Sequence, residues 1–402
     1  MEVRMSEIKI TDEDLKMFPD GDFEAVYQSG YPPDSGTEND AEDPIQVEIS
    51  ELSKQAYSLL KANNISEAIN VFNKIIELDP ENNYALVGLG DAERKSNNFN
   101  KAIDFYKKCL EYHPTNNYAL FGLADCYKSP NQFSKAISIW EEYIKFDDKN
   151  ITVLTRVADV YRKNKNFERA ETLYNKVLET APKNAYALIG MGHLHYDFKK
   201  YREALSYWER VLETSGELVD IRILTSIGNC YRKMKLFERG VYYFERALEL
   251  DPKNFYGLFG LADCYRGLNK QNKSIIYWQK ILEMDPNNKV ILTRIGDAYR
   301  NMGDFETAKS CYQKALDIDF DSYAMLGLAI LCKLQKKYDE AITTLSNLKD
   351  AKDLSSRVYL EIAQCYIEKN DKQKAVEALK EFQKAGVKNQ TINDLLLELT
   401  KE

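Results

Sequence analysis

The stretch "AIDFYKKCLEYHPTNNYALFGLADCYK" (residues 102–128) holds the architectural signal of the chain in one place. Its first half carries apolar residues at helical spacing and stops at Pro114. Proline ends such a segment because it lacks the N–H and excludes the preceding turn. Its second half, "NYALFGLADCYK", returns almost unchanged as "FYGLFGLADCYR" (255–266). A Cys, an Asp and a Tyr thus recur beside a basic residue. Either a reactive site is duplicated, or a structural unit needs these residues each time it is copied.

The prolines favour the second answer. Pro80 and Pro114 are 34 residues apart, Pro182 lies 68 beyond Pro114, and Pro252 and Pro286 are again 34 apart. A period of 34 divides the chain into ten units: 49–82, 83–116, 117–150, 151–184, 185–220, 221–254, 255–288, 289–321, 322–355 and 356–389. Two extra residues enter near "SGELVD" (215–220), and one is lost near "DIDFDSY" (317–323). The eighth position is always Ala or Gly, from Ala56 and Gly90 to Ala363. The twentieth is Ala except for Gly240 and Ser274. Small residues at fixed points on two helices let their backbones approach closely.

This pattern resembles the tetratricopeptide repeat (TPR), a 34-residue antiparallel helix pair, over about 340 of the 402 residues. In the sixth unit Leu224, Ile227, Gly228, Tyr231, Gly240, Phe244, Ala247 and Pro252 fall where the family has them. The tenth unit departs, with Val387 at the proline position. The resemblance implies an all-α, right-handed superhelical solenoid of about ten helix pairs. Residues 390–402, with "TINDLLLELTKE", read as a helix capping the last repeat. A two-repeat period lies on top. Units three, five, seven and nine open with "YALFG", "YALIG", "YGLFG" and "YAMLG", and Trp140, Trp208 and Trp278 share one position of alternate units.

Composition narrows the class. Charged residues at 29% and hydrophobic ones at 44% are ordinary for a soluble globular or repeat protein. No run approaches the roughly 18 apolar residues of a membrane span, and the N-terminus has no apolar signal core. Seven cysteines, an odd number with no C-x-x-C, point to free thiols in a reducing compartment, so the expected location is cytoplasmic. Residues 1–48 carry a balance of −11, which leaves +3 on the remainder. That body is too weakly basic to indicate nucleic acid.

The chemical candidates thin out under the repeat. Cys126, Cys230, Cys264 and Cys365 fall at the tenth position, where other units have Ala, Val or Leu, so this thiol is a small buried hydrophobe. His193 and His195 are two apart on an expected helix and point to different faces, which does not chelate a metal. No phosphate-loop, nucleophile-elbow or zinc-protease motif occurs. No catalytic residue, cofactor or metal is expected, and the chain reads as no enzyme.

The Asp and the basic residue carry more. The ninth position supplies Asp91, Asp125, Asp159, His193, Asp263 and Asp297; the twelfth supplies Arg94, Lys128, Arg162, Arg232, Arg266 and Arg300. At i, i+3 they are neighbours on the first helix of each pair. One reading makes them a row of exposed ion pairs worth about 0.3–0.5 kcal/mol each. The other follows from the resemblance, in which positions two, five, nine and twelve line a concave groove for partners. That groove would add Tyr84, Tyr118, Tyr186 and Tyr256 at position two, and Phe121 and Phe259 at position five. These aromatics could instead pack against neighbouring first helices. The Lys/Asn clamp that family members use for a C-terminal carboxylate does not match these positions.

Residues 1–48 hold fourteen acids and four prolines, the composition of a disordered segment. It is a solubilising tail, or it docks in cis on the arginines and competes with a partner. The expected function is a noncatalytic scaffold or adaptor holding a protein segment in the groove. The alternative is a regulatory or assembly subunit of an enzyme complex.

Overall fold

The computed structural model describes residues 44–128, 132–146, 148–215, 220–349, 355–384 and 389–400. Every regular element among them is an α-helix. Of the acidic tail expected to be disordered over 1–48, residues 1–43 lie outside the described residues and 44–48 are helical; the expected bend at the 215–220 insertion falls on residues 216–219, which also lie outside them. The described residues fall into two compact units, one up to residue 122 and one from residue 123.

In the first unit α1 (Pro44–Lys61) pairs with α2 (Ile65–Leu78), and α3 (Asn83–Lys95) with α4 (Phe99–Tyr112). Helix α1 starts ahead of the expected boundary at 49, with proline in the first turn, where its missing N–H costs nothing. The boundary between the units falls within α5 (Asn117–Lys128), and α6 (Phe133–Phe146) follows. Further along, α7 (Ile151–Lys163) packs on α8 (Phe167–Thr180), α9 (Ala185–Asp197) on α10 (Tyr201–Ser215), and α11 (Ile221–Lys233) on α12 (Phe237–Leu250). Then come α13 (Phe255–Gly267) with α14 (Gln271–Met284), α15 (Lys289–Met302) with α16 (Phe305–Ile318), and α17 (Ser322–Leu334) with the short α18 (Tyr338–Ser346). Helix α19 (Ser355–Glu368) pairs with α20 (Lys372–Lys384). The last helix, α21 (Gln390–Thr400), lays Ile392, Leu395, Leu396 and Leu399 over Tyr359, Leu379 and Phe382 of that pair.

Close approach within a pair rests on the small residues read from the sequence. Ala56, Ala124, Ala158, Ala262, Ala329 and Ala363 at position eight are fully buried, as are Ala102, Ala170, Ala204 and Ser274 at position twenty. The space they leave is filled from the second helix by the residue at position 24. Phe72, Tyr106, Trp140, Tyr174, Trp208, Phe244, Trp278 and Tyr312 occupy it, and all are essentially buried. Tyr106, Phe244 and Tyr312 each sit between their own first helix, at Gly90, Gly228 and Gly296, and the first helix of the next repeat, at Gly122, Gly260 and Gly327. The Cβ of an alanine at Gly260 would meet Phe244 Cζ at 2.2 Å, and at Gly122 it would meet Tyr106 Cζ at 2.3 Å. Five units that follow a Phe or Tyr accordingly have glycine at position six: Gly88, Gly122, Gly190, Gly260 and Gly327. The three that follow a Trp have Arg156, Ser226 and Arg294.

The turn inside each pair has one recurring geometry. Asn63, Asn97, Lys165, Lys199, Lys235, Asn269, Lys336 and Asn370 all adopt φ near +60°, and Gly303 takes the same place at +86°. Asparagine tolerates this left-handed region; lysine does not gain from it. The turn between pairs is closed by a cap that repeats every 34 residues. Asn82, Asn116, Asn150, Asn184, Asn254 and Asn288 each accept a hydrogen bond from the backbone N–H three residues on.

Two substitutions test this frame in opposite directions. Gly260→Ala forces its methyl into the Phe244 ring and is expected to destabilise by about 2–3 kcal/mol. Lys199→Gly relieves the left-handed strain and is expected to stabilise by roughly 0.5–1 kcal/mol. Urea-unfolding midpoints measure both; an unchanged Gly260→Ala midpoint would remove the close approach as a constraint.

Candidate functional site

The site is built around the carboxylate at position nine, one turn from the basic residue at position twelve on the first helix. In the 1–122 unit the Tyr106 hydroxyl, reaching across from α4, donates to Asp91 Oδ1 on α3 at 2.6 Å. Arg94 Nη2 stands 3.6 Å from the same oxygen. The arrangement recurs in the other unit. Tyr312 donates to Asp297 Oδ1 at 2.7 Å and accepts from Arg300 Nη1 at 2.9 Å. Burial, and then the Asp297 charge, push this phenol far above its ordinary range, so its hydroxyl is held as a donor.

Repeats with tryptophan at position 24 solve the same problem differently. The buried indole N–H groups of Trp140 and Trp278 make no hydrogen bond. The carboxylate is bound instead from the following repeat, by the arginine that replaces glycine at position six. Arg156 Nη1 donates to Asp125 Oδ2 at 2.8 Å, and Arg294 Nη1 to Asp263 Oδ1 at 2.9 Å. The third tryptophan fits the same logic. Beside Trp208 the ninth position is His193, whose ring lies edge-on 5.2 Å away, and the following sixth position is Ser226. With no carboxylate there, no arginine is needed.

Charge is unevenly distributed along this face. Arg162 binds Asp159 through Nε and Nη2, at 3.1 and 2.7 Å, and Asp197 through Nη1 at 2.5 Å, so two acids share one guanidinium. Around Asp263 the ratio reverses. Arg232 Nη1 approaches at 2.7 Å, Arg294 Nη1 at 2.9 Å and Arg266 Nη2 at 3.1 Å. Burial alone would raise the Asp263 carboxyl, but Arg294, Arg266 and Arg232 hold it below the ordinary carboxylate value. Arg232 also donates to Asn229 Oδ1, and the Arg294 guanidinium lies 4.7 Å over the Phe259 ring.

The expectation of exposed ion pairs does not hold for the central members of the row. Asp91, Asp125, Asp159, Arg162 and Asp263 are all buried, and the pairs Arg156–Asp125, Arg162–Asp197, Arg232–Asp263 and Arg294–Asp263 each join successive first helices. Arg94, His193, Arg232, Arg266, Asp297 and Arg300 are half-buried, and the side chain of Lys128 lies outside the described residues. Phe121 and Phe259 are buried. Among the position-two tyrosines, Tyr84 is 40% exposed, and Tyr118, Tyr186 and Tyr256 are half-buried. Sequence reasoning missed Arg156, Arg294 and Asp197 as members of the network, along with the tyrosines at position 24. The available signal was the pairing of Trp with a following Arg, and of Tyr with a following Gly.

The remaining titratable groups are not poised for chemistry. Burial pushes the Cys230 and Cys264 thiols up to about 12 and Cys365 to about 11, so none is a ready thiolate. His193 is pushed down to about 3 by burial and then by Arg162, and burial lowers His195 as well. Among the described residues no group of His, Cys, Asp or Glu is placed to hold a metal ion. No helix there is long and apolar enough to cross a membrane.

Models of the tetratricopeptide repeat match residues 53–111, 93–158, 156–218, 221–254, 243–276, 291–322 and 356–385. No curated protein sequence matches the chain significantly. Among solved structures, a tetratricopeptide repeat protein from Parabacteroides merdae is 17% identical, covering 71% of this chain and 98% of its own, with a TM-score of 0.43. YrrB, a TPR protein with an unusual peptide-binding site, is 21% identical over 46% of this chain and 95% of its own, with a TM-score of 0.40. PilF of Pseudomonas aeruginosa is 16% identical over 54% and 97%, with a TM-score of 0.46.

The depressed histidines give the network a pH signature. The unfolded chain takes up protons near pH 6.5 while folded His193 resists until about pH 3, so stability present above pH 6.5 is lost as pH falls between them. By pH 5 the loss from His193 is expected to be about 1–2 kcal/mol. Denaturation midpoints at pH 7.5 and 5 should differ less for His193→Asn than for the native chain. Equal differences would contradict this placement of the imidazole.

Proposed function

Since the chain belongs to the tetratricopeptide repeat family, whose members are generally protein-interaction scaffolds, we propose that it is a noncatalytic scaffold holding an extended protein segment against the face of its first helices. The observation that carries this reading is the arrangement on that face in the 123–402 unit. Half-buried Tyr186, Tyr256 and Tyr323 occupy position two of the fifth, seventh and ninth repeats, and half-buried Arg232, Arg266 and Arg300 occupy position twelve of the sixth, seventh and eighth. Beneath them Asp263 and Asp297 fix the guanidinium groups by direct ion pairs. Tyrosine and arginine are the side chains most enriched at binding hot spots, and donors held in place before binding lose little entropy on contact.

Position five does not contribute as a free aromatic row. Phe259 lies under Arg294, and Thr155, Thr225 and Thr293 are buried, with their hydroxyls turned back to the helix backbone. The tyrosines and arginines are therefore the side chains offered to a partner. A peptide along successive first helices would meet these tyrosines in the fifth, seventh and ninth repeats and these arginines in the sixth, seventh and eighth.

Selection from a displayed peptide library tests this directly. Peptides selected on the full chain are expected to bind Tyr186→Ala/Tyr256→Ala/Tyr323→Ala at least tenfold more weakly, with an unchanged thermal melt. Selected peptides that bind native and substituted chains equally would place the interaction surface elsewhere.

A further inference from the structure

The charge around Asp263 goes further than a generic binding face. Arg232 from α11, Arg266 from α13 and Arg294 from α15 converge on this one carboxylate from three successive repeats. The next acid along, Asp297, is engaged by Arg300 and Tyr312. Taken together, these four arginines and two aspartates carry an excess of two positive charges. Elsewhere Arg156 pairs with Asp125, and Arg162 is shared between Asp159 and Asp197.

Resting on the scaffold reading above, we propose that this cluster is an anion subsite that takes acidic side chains of an extended peptide partner. Arg232 and Arg266 repel Arg294, and all three guanidiniums share the single Asp263 carboxylate. An incoming carboxylate or phosphate relieves that repulsion. The groups available to meet it are graded in access: the side chain of Arg266 is 30% exposed and that of Arg232 15%, whereas that of Asp263 is 1% exposed. At Asp263 a partner thus meets guanidinium and not the carboxylate beneath, whereas the Asp297 side chain at the edge of the cluster is 37% exposed. Planar guanidiniums bind carboxylate and phosphate in the same forked geometry, so the shared chemistry is the anion.

Fluorescence anisotropy on the full chain at low salt tests this with three labelled peptides: alternating Glu and Ala, the same with Gln for Glu, and the same with phosphoserine for Glu. The Glu peptide is expected to bind at least about tenfold more tightly than the Gln peptide and to lose that advantage in Arg266→Gln. Lys273→Gln, which removes an equal charge from α14, should leave it intact. A greater dependence of the phosphoserine peptide on Arg266 would assign the subsite to phosphorylated segments, and a lesser one to carboxylates. Equal binding of the Glu and Gln peptides, or equal losses in both variants, would overturn the subsite. Library-selected peptides that need the tyrosines but not Arg266 would overturn it and leave the scaffold reading standing; peptides needing neither would remove both.

Discussion

The central repeats depend on placing a large ring at position 24 against the first helices while keeping the buried carboxylates at position nine satisfied. The ring at position 24 must reach both its own first helix and the next one, which excludes a Cβ at the contacts seen for Gly122 and Gly260. The Asp at position nine lies beside that contact, and an ionised carboxylate there costs several kcal/mol unless it is hydrogen-bonded and paired. Two solutions are used along the chain. A tyrosine at position 24 donates from within the repeat, as Tyr106 does to Asp91. A tryptophan donates nothing to it, and an arginine from the following repeat takes over, as Arg156 does for Asp125. The second solution ties consecutive repeats together by charge as well as by packing.

Helix positions, pairing and the small contact residues were legible in the sequence because a 34-residue period states them ten times over. The tenth-position cysteines were legible for the same reason: Ala, Val and Leu at equivalent places make the requirement apolar, and Cys126, Cys230, Cys264 and Cys365 are indeed fully buried. Burial of the ninth position was not. An i, i+3 Asp–Arg pair looks the same in sequence whether it faces water or the next helix, and only the packing of successive first helices separates the two. Arg156 and Arg294 were hidden differently. Their partners lie 31 residues earlier, in another repeat, so no local spacing connects them.

This framework bears on binding through preorganisation. Guanidinium groups anchored by a carboxylate below have little freedom left to lose when a partner arrives, and half-buried tyrosines are similarly fixed. The array also varies by repeat. Acid dominates near Asp159 and Asp197, neutral groups near His193 and Asn229, and arginine near Asp263. A segment lying along the first helices would therefore be read by charge at particular repeats.

The most direct test of the account is a double-mutant cycle at Trp140 and Arg156, measured as unfolding free energy in urea. Arg156→Gly alone should cost about 3–5 kcal/mol, because Asp125 loses its ion pair while remaining buried. Adding Trp140→Tyr should supply the hydroxyl that other repeats use, so the double variant should lose at least about 2 kcal/mol less than the sum of the two single losses. Losses that add to within about 0.5 kcal/mol would mean that the tyrosine and the arginine do not serve the same carboxylate, and the account would fail.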